Sequence, residues 1–167
     1  MKNNKGYTLV ELMVVIAIIG VVASMTMVGV KMSKSADVSY AANTINSYMA
    51  SIRMNNMSKV TMQYLHIYKD KDSYYYTIEE NDKTIDFSNH ENEIGNVDTA
   101  IFYQTSGESV IANNNGICIT YNRAGECKLY NKSGTLIGDD LRSVTIAGPS
   151  KKTEIKVLPA IGKSYIK

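Results

Sequence analysis

Apolar and polar positions follow three successive patterns along this chain. Residues 12–30 carry no charge. Nineteen helical residues at about 1.5 Å each reach roughly 28 Å, close to the hydrocarbon thickness of a bilayer, so the run can span a membrane. Val38, Ala41, Ile45, Tyr48 and Ile52 then recur at spacings of three and four among Asn, Ser and Arg53, the mark of one apolar stripe on a helix. No proline falls between Tyr7 and Val60. The spacing predicts a single helix over about 8–57, far longer than the average globular helix, with a lipid-facing first half and an amphipathic second half. Gly20 and Gly29 each weaken it by roughly 1 kcal/mol relative to alanine, which favours bending there.

From Val60 the period becomes two. VTMQYLHIYK and YYYTIEE are rich in β-branched and aromatic residues, with a turn at Asp70-Lys71-Asp72-Ser73. Asn81-Asp82-Lys83 is expected to join YYYTIEE to a strand at TIDFS, and the polar, acidic residues 89–96 to form a loop. VDTAIFYQT, SVIA, ICITYN, ECKLYN, LRSVTIA and TEIKVLP read as further strands, divided by Gly-, Asn- and Pro-containing turns and followed by a short tail, KSYIK. A long helix followed only by strands is the α+β arrangement, with the amphipathic half of the helix lying on an antiparallel sheet.

Composition narrows this further. Of 167 residues about thirty belong to the apolar segment, and the remainder suffices for one compact domain. The net charge of +2 hides an uneven distribution. Nine acidic residues from Asp70 to Asp98 stand against Lys71 and Lys83, whereas beyond Leu141 six basic residues stand against Glu154. Such asymmetry can draw copies together head to tail or simply keep surfaces soluble. Abundant Lys, Asn, Ile and Tyr with no Trp fits a low-GC genome.

Glu11 is the anomaly, a carboxylate at the edge of the apolar run, where charges usually have a functional partner. Lys5-Gly6 followed by YTLVELMVVIAIIG resembles the class III signal of type IV prepilins and pseudopilins. That resemblance implies a leader, residues 1–6, removed after Gly6 by a prepilin peptidase. Tyr7 becomes the new N-terminus, methylated on its amine, and Glu11 pairs with that amine on a neighbouring subunit during assembly. Gly20 falls where many pilins carry a helix-loosening glycine. Tyr7 stands where Phe is usual, and Val28 where many major pilins have a kinking proline. A secretory signal peptide would have a shorter apolar core and an A-x-A-like site, of which Ala23-Ser24-Met25 is a poor version; a plain anchor leaves the Lys-Gly junction and Glu11 unexplained.

Lysines flank the run on both sides, Lys2 and Lys5 before it and Lys31 and Lys34 after, so their count sets no orientation. The resemblance places residues 1–6 in the cytoplasm and the rest beyond Lys31 outside. The organisation implied is leader 1–6, membrane and filament-core helix 7–30, amphipathic helix 31–58 and extracytoplasmic β domain 59–167, similar to the type IV pilin fold. ASIRMNNMSKVTMQYL, ITYNRAGECKLYNKSGT and RSVTIAGPSKKTEIKV look like the minor pilins and minor pseudopilins of the H-like class. The implied partners are other pilin subunits, the peptidase and an inner-membrane assembly platform. The implied role is a minor pilin of a surface filament for adhesion or twitching motility, with a pseudopilin of type II secretion or of competence DNA uptake as the alternative. Cys118 and Cys127 sit on the two arms of the NRAG turn, and either a disulfide or two free buried thiols fits.

Catalytic and cofactor motifs are not found: CxxC, HExxH, GxSxG, Walker A and GxGxxG are all missing. No enzyme activity and no cofactor is expected. His66 in its alternating strand reads as an ordinary surface or sheet histidine, 24 residues from His90. Asp70 with Asp72, and Asp139 with Asp140, could contribute to a Ca²⁺ site but lack a full ligand run, and read as solvated turns. Tyr74, Tyr75 and Tyr76 lie in an acidic stretch, the wrong sign for a nucleic-acid groove.

Overall fold

The structure, a computed structural model, describes residues 8–88, 90–95, 99–105, 109–111, 116–138, 140–158 and 161–167, the side chains of 25–34, 95 and 109–111 excepted. Among the described residues one helix, α1 (Leu9–Ser58), precedes eleven strands: β1 (Gln63–Asp70), β2 (Ser73–Glu80), β3 (Asn92–Gly95), β4 (Ala100–Gln104), β5 (Ser109–Ile111), β6 (Ile117–Tyr121), β7 (Cys127–Tyr130), β8 (Leu136–Gly138), β9 (Ser143–Ala147), β10 (Lys152–Leu158) and β11 (Lys163–Ile166). The chain divides into two units, Met1–Ser33 and Lys34–Lys167. The class is α+β, compatible with the expected architecture, but the strands form two antiparallel sheets rather than one. Their orders are β3-β2-β1-β6-β7-β8 and β11-β10-β9-β4-β5.

In the second unit the helical stripe is realised as Val38, Ala41, Ala42, Ile45, Met49 and Ile52, all buried, while Tyr48 is only partly so. This stripe shares one core with Leu65 and Ile67 of β1, Ile119 of β6, Val144 of β9 and Ile155 of β10, so both sheets contribute to it. The helix end is tied down by Asn56, fully buried. Its Nδ2 donates to the carbonyls of Gln63 and Tyr121 and to Thr120 Oγ1, and its Oδ1 accepts from Gln63 N–H at 2.7 Å. A buried amide with its polar atoms satisfied fixes where helix ends and sheet begins.

A second, smaller cluster of Tyr64, Tyr68, Ile85 and Cys118 packs with Phe87, Tyr75 and Tyr130. It corrects one expectation: TIDFS is not a strand. Asp82 accepts from Thr84 N–H and Asp86 from the N–H and hydroxyl of Ser88, local bonds that compete with a ladder. Thr84 keeps only an isolated bridge to Ser133, while Ile85 and Phe87 still reach the cluster. The partner of β2 is instead β3, inside the stretch expected to be a loop, held by Ile94 in the main core. β8 was not anticipated, and the supposed tail is β11, paired along β10.

The disulfide alternative is also corrected. Tyr121 pairs with Cys127 and Cys118 with Tyr130, so the two cysteines are offset in register and lie in different clusters, Cys127 in the main core and Cys118 in the smaller one. Both thiols are free and buried, and burial pushes each up to about 12.

His66 is a sheet histidine, but a fully buried one, opposite Cys118 on β6. Nε2 lies 3.2 Å from the Asp82 carbonyl oxygen, and Nδ1 has no hydrogen bond among the described residues. Burial lowers its pKa. The unfolded chain takes up this proton near pH 6.5, so His66 costs nothing above that pH and destabilises the fold progressively below it. The urea midpoint is expected to fall between about pH 7 and pH 5, and more steeply than in His66→Asn; parallel profiles would show that the ring is protonated without cost.

Candidate assembly site at the helix N-terminus

The helix opens on T-L-V-E, residues 8–11. Thr8 N–H donates to Glu11 Oε2 at 2.8 Å, and the Thr8 hydroxyl donates to the same oxygen at 2.9 Å. Glu11 N–H points back to Thr8 Oγ1 at 3.3 Å. This is a reciprocal capping box, which satisfies donors that every helix N-terminus leaves without an intrahelical partner. Glu11 is exposed, so its carboxylate occupies itself with its own chain while remaining within reach of another. Thr8 was missed in the sequence, although the spacing of a hydroxyl residue three positions before a glutamate was there to find it.

Of the other residues singled out from sequence, Gly6 and Tyr7 lie outside the described residues, so the structure does not place the Tyr7 amine beside Glu11. Gly20 is helical, and a Cβ built on it would meet nothing within 4 Å. Its small size therefore serves no close approach among the described residues, and what remains is the lower helix propensity of glycine. Every large apolar side chain from Leu9 to Val22 is exposed, from 52% at Val14 to 79% at Leu9. So much contiguous apolar surface marks a face meant for lipid or for other protein. Among the described residues no helix is long and apolar enough to cross a membrane; the described side chains of the apolar run stop at Ser24.

Away from the helix start the candidate chemistry thins out. Asp70 Oδ2 lies 2.7 Å from His90 Nε2, so this carboxylate is engaged within the chain. Asp139 lies outside the described residues. Among the described residues no three His, Cys, Asp or Glu side chains converge as metal ligands. Tyr74 is buried in the main core, Tyr76 hydrogen-bonds to Tyr48 at 3.0 Å, and Tyr75 stacks on Tyr68. The tyrosine run is thus packing material on both faces of β2.

No curated protein and no solved structure matches the chain. Residues 1–27, which contain the junction, the capping box and most of the apolar run, match the family model of the prokaryotic N-terminal methylation motif, a match consistent with a type IV pilin or pseudopilin precursor.

Proposed function

We propose that the chain is a structural subunit rather than an enzyme: a minor pilin that enters the cytoplasmic membrane once, N-terminus inside, and is assembled into a surface filament for adhesion or twitching motility. The observation that supports this reading best is the methylation motif at residues 1–27, which runs into a helix of 50 residues, Leu9–Ser58, whose large apolar side chains from Leu9 to Val22 are all exposed. Cleavage after Gly6 frees the Tyr7 amine. Lipid covers the apolar side chains before assembly, and the helices of neighbouring copies replace it afterwards. Glu11 exchanges its bonds to Thr8 for the amine of the next subunit, so a carboxylate entering an apolar bundle is neutralised and sets the axial register. Filaments sheared from the native host should contain a subunit whose N-terminal mass corresponds to methylated Tyr7. A protein that still begins at Met1 and never enters fibres would overturn the reading.

A further inference from the structure

Among the described residues, each of the two sheets ends in strands with an open side. The six-stranded sheet ends at β3 and β8, the five-stranded sheet at β5 and β11. An unpaired strand edge is a template for another chain, and proteins commonly place lysine there to prevent like edges from meeting. β11 carries Lys163 and is followed by Lys167, with Lys152 and Lys156 on the adjoining β10. None of these four has an ion-pair partner among the described residues. Lys167 N–H donates to the Glu154 carbonyl. By antiparallel alternation, the backbone groups of Ser164 and Ile166 therefore point away from β10. The same hairpin exposes Leu158, Ile161, Tyr165 and Ile166, more apolar surface than a purely solvated edge carries.

The β3 edge has the opposite sign. Glu91 and Glu93 are both exposed; Glu93 accepts only the Ser73 hydroxyl, at 2.6 Å, and neither has a cationic partner among the described residues. We infer that β11 of one copy docks along β3 of a second copy, its lysines against Glu91 and Glu93. Between these two edges the charges favour this pairing alone, since β11 against β11 or β3 against β3 places like charges face to face. Two different edges of one unit joined head to tail make a heterologous contact, which leaves a free edge at each end of a pair and so continues into a ring or an open helical array instead of stopping at a dimer. The uneven charge visible in the sequence thus acquires a geometric purpose.

The inference rests on reading the chain as a filament subunit, but it is testable without filaments. The full-length chain in non-ionic detergent micelles, at about 50 mM salt so that charges are little screened, should self-associate by analytical ultracentrifugation. K163E/K167E and E91K/E93K should each weaken that association by at least tenfold, and an equimolar mixture of the two should restore it, because each then presents the sign the other lacks. Singly reversed K167E and E91K take their place if thermal unfolding of either double variant is altered. Unchanged association of the variants, or a mixture no stronger than its components, would overturn the contact. Neither result bears on the N-terminal mass of filament subunits, so failure here and failure of the filament reading remain distinct.

Discussion

Glu11→Ala is expected to leave export and membrane insertion intact while lowering incorporation into filaments by more than tenfold. Loss of one partner from a charge pair that becomes desolvated typically costs more than one decade in affinity. The capping box complicates a simple reading, because alanine also removes the acceptor for Thr8 N–H and the Thr8 hydroxyl. Glu11→Gln separates the two effects, since glutamine serves the N3 position of a capping box as glutamate does but carries no charge. If pairing with a neighbour's amine is what matters, the glutamine variant is as defective as the alanine one, and Thr8→Ala, which weakens the cap and keeps the charge, assembles nearly normally. Immunoblots of sheared filaments against membrane fractions read all three. Normal incorporation of Glu11→Gln would reduce Glu11 to a helix cap.

A second large effect is expected at Gly162, where three parts of the second unit meet. Gly162 has φ of +62° and donates its N–H to the Leu158 carbonyl at 2.7 Å. A Cβ there would collide with the carbonyl oxygen of Gly125 and lie 2.9 Å from two ring carbons of Tyr121. The neighbouring Ile161 carbonyl accepts from Arg53 Nε at 2.8 Å, so the turn is anchored to the helix as well. The left-handed backbone costs a non-glycine residue about 1 to 2 kcal/mol, and overpacking a rigid contact adds about 1 to 3. Gly162→Ala should therefore lower the free energy of unfolding by about 3 kcal/mol, a large share of an ordinary domain's stability. Urea unfolding measures it as a lower midpoint at unchanged slope. Gly138→Ala is the control: its added Cβ meets only ordinary contacts at 3.6 Å, and its midpoint should barely move.

The helix was legible because its signal is long and redundant. The stripe beginning at Val38 survives the demotion of Tyr48 and the addition of Ala42 and Met49, because about four turns of period 3.6 average out single misplacements. The strands were legible where β-branched and aromatic residues alternate, as in β1, β2 and β10. TIDFS alternates equally well yet yields to Asx turns at Asp82 and Asp86, and β3 takes its place on the strength of one buried isoleucine, Ile94. Which of two short segments pairs with β2 is decided by the core on either side of it, and that information is not local. Register is likewise not local: the offset between Cys118 and Cys127 depends on the five residues between Tyr121 and Cys127, whose turn bonds Asn122 to Glu126 and Gly125. At the helix start the junction and Glu11 could be read directly, and the T-x-x-E spacing by which Thr8 holds the carboxylate was equally legible.

The free thiols carry a last consequence. With only two cysteines in the chain, both interred and unjoined, the second unit needs no oxidant to mature and no isomerase to correct a mispaired bridge. It can reach its final shape in a reducing compartment as readily as in an oxidising one.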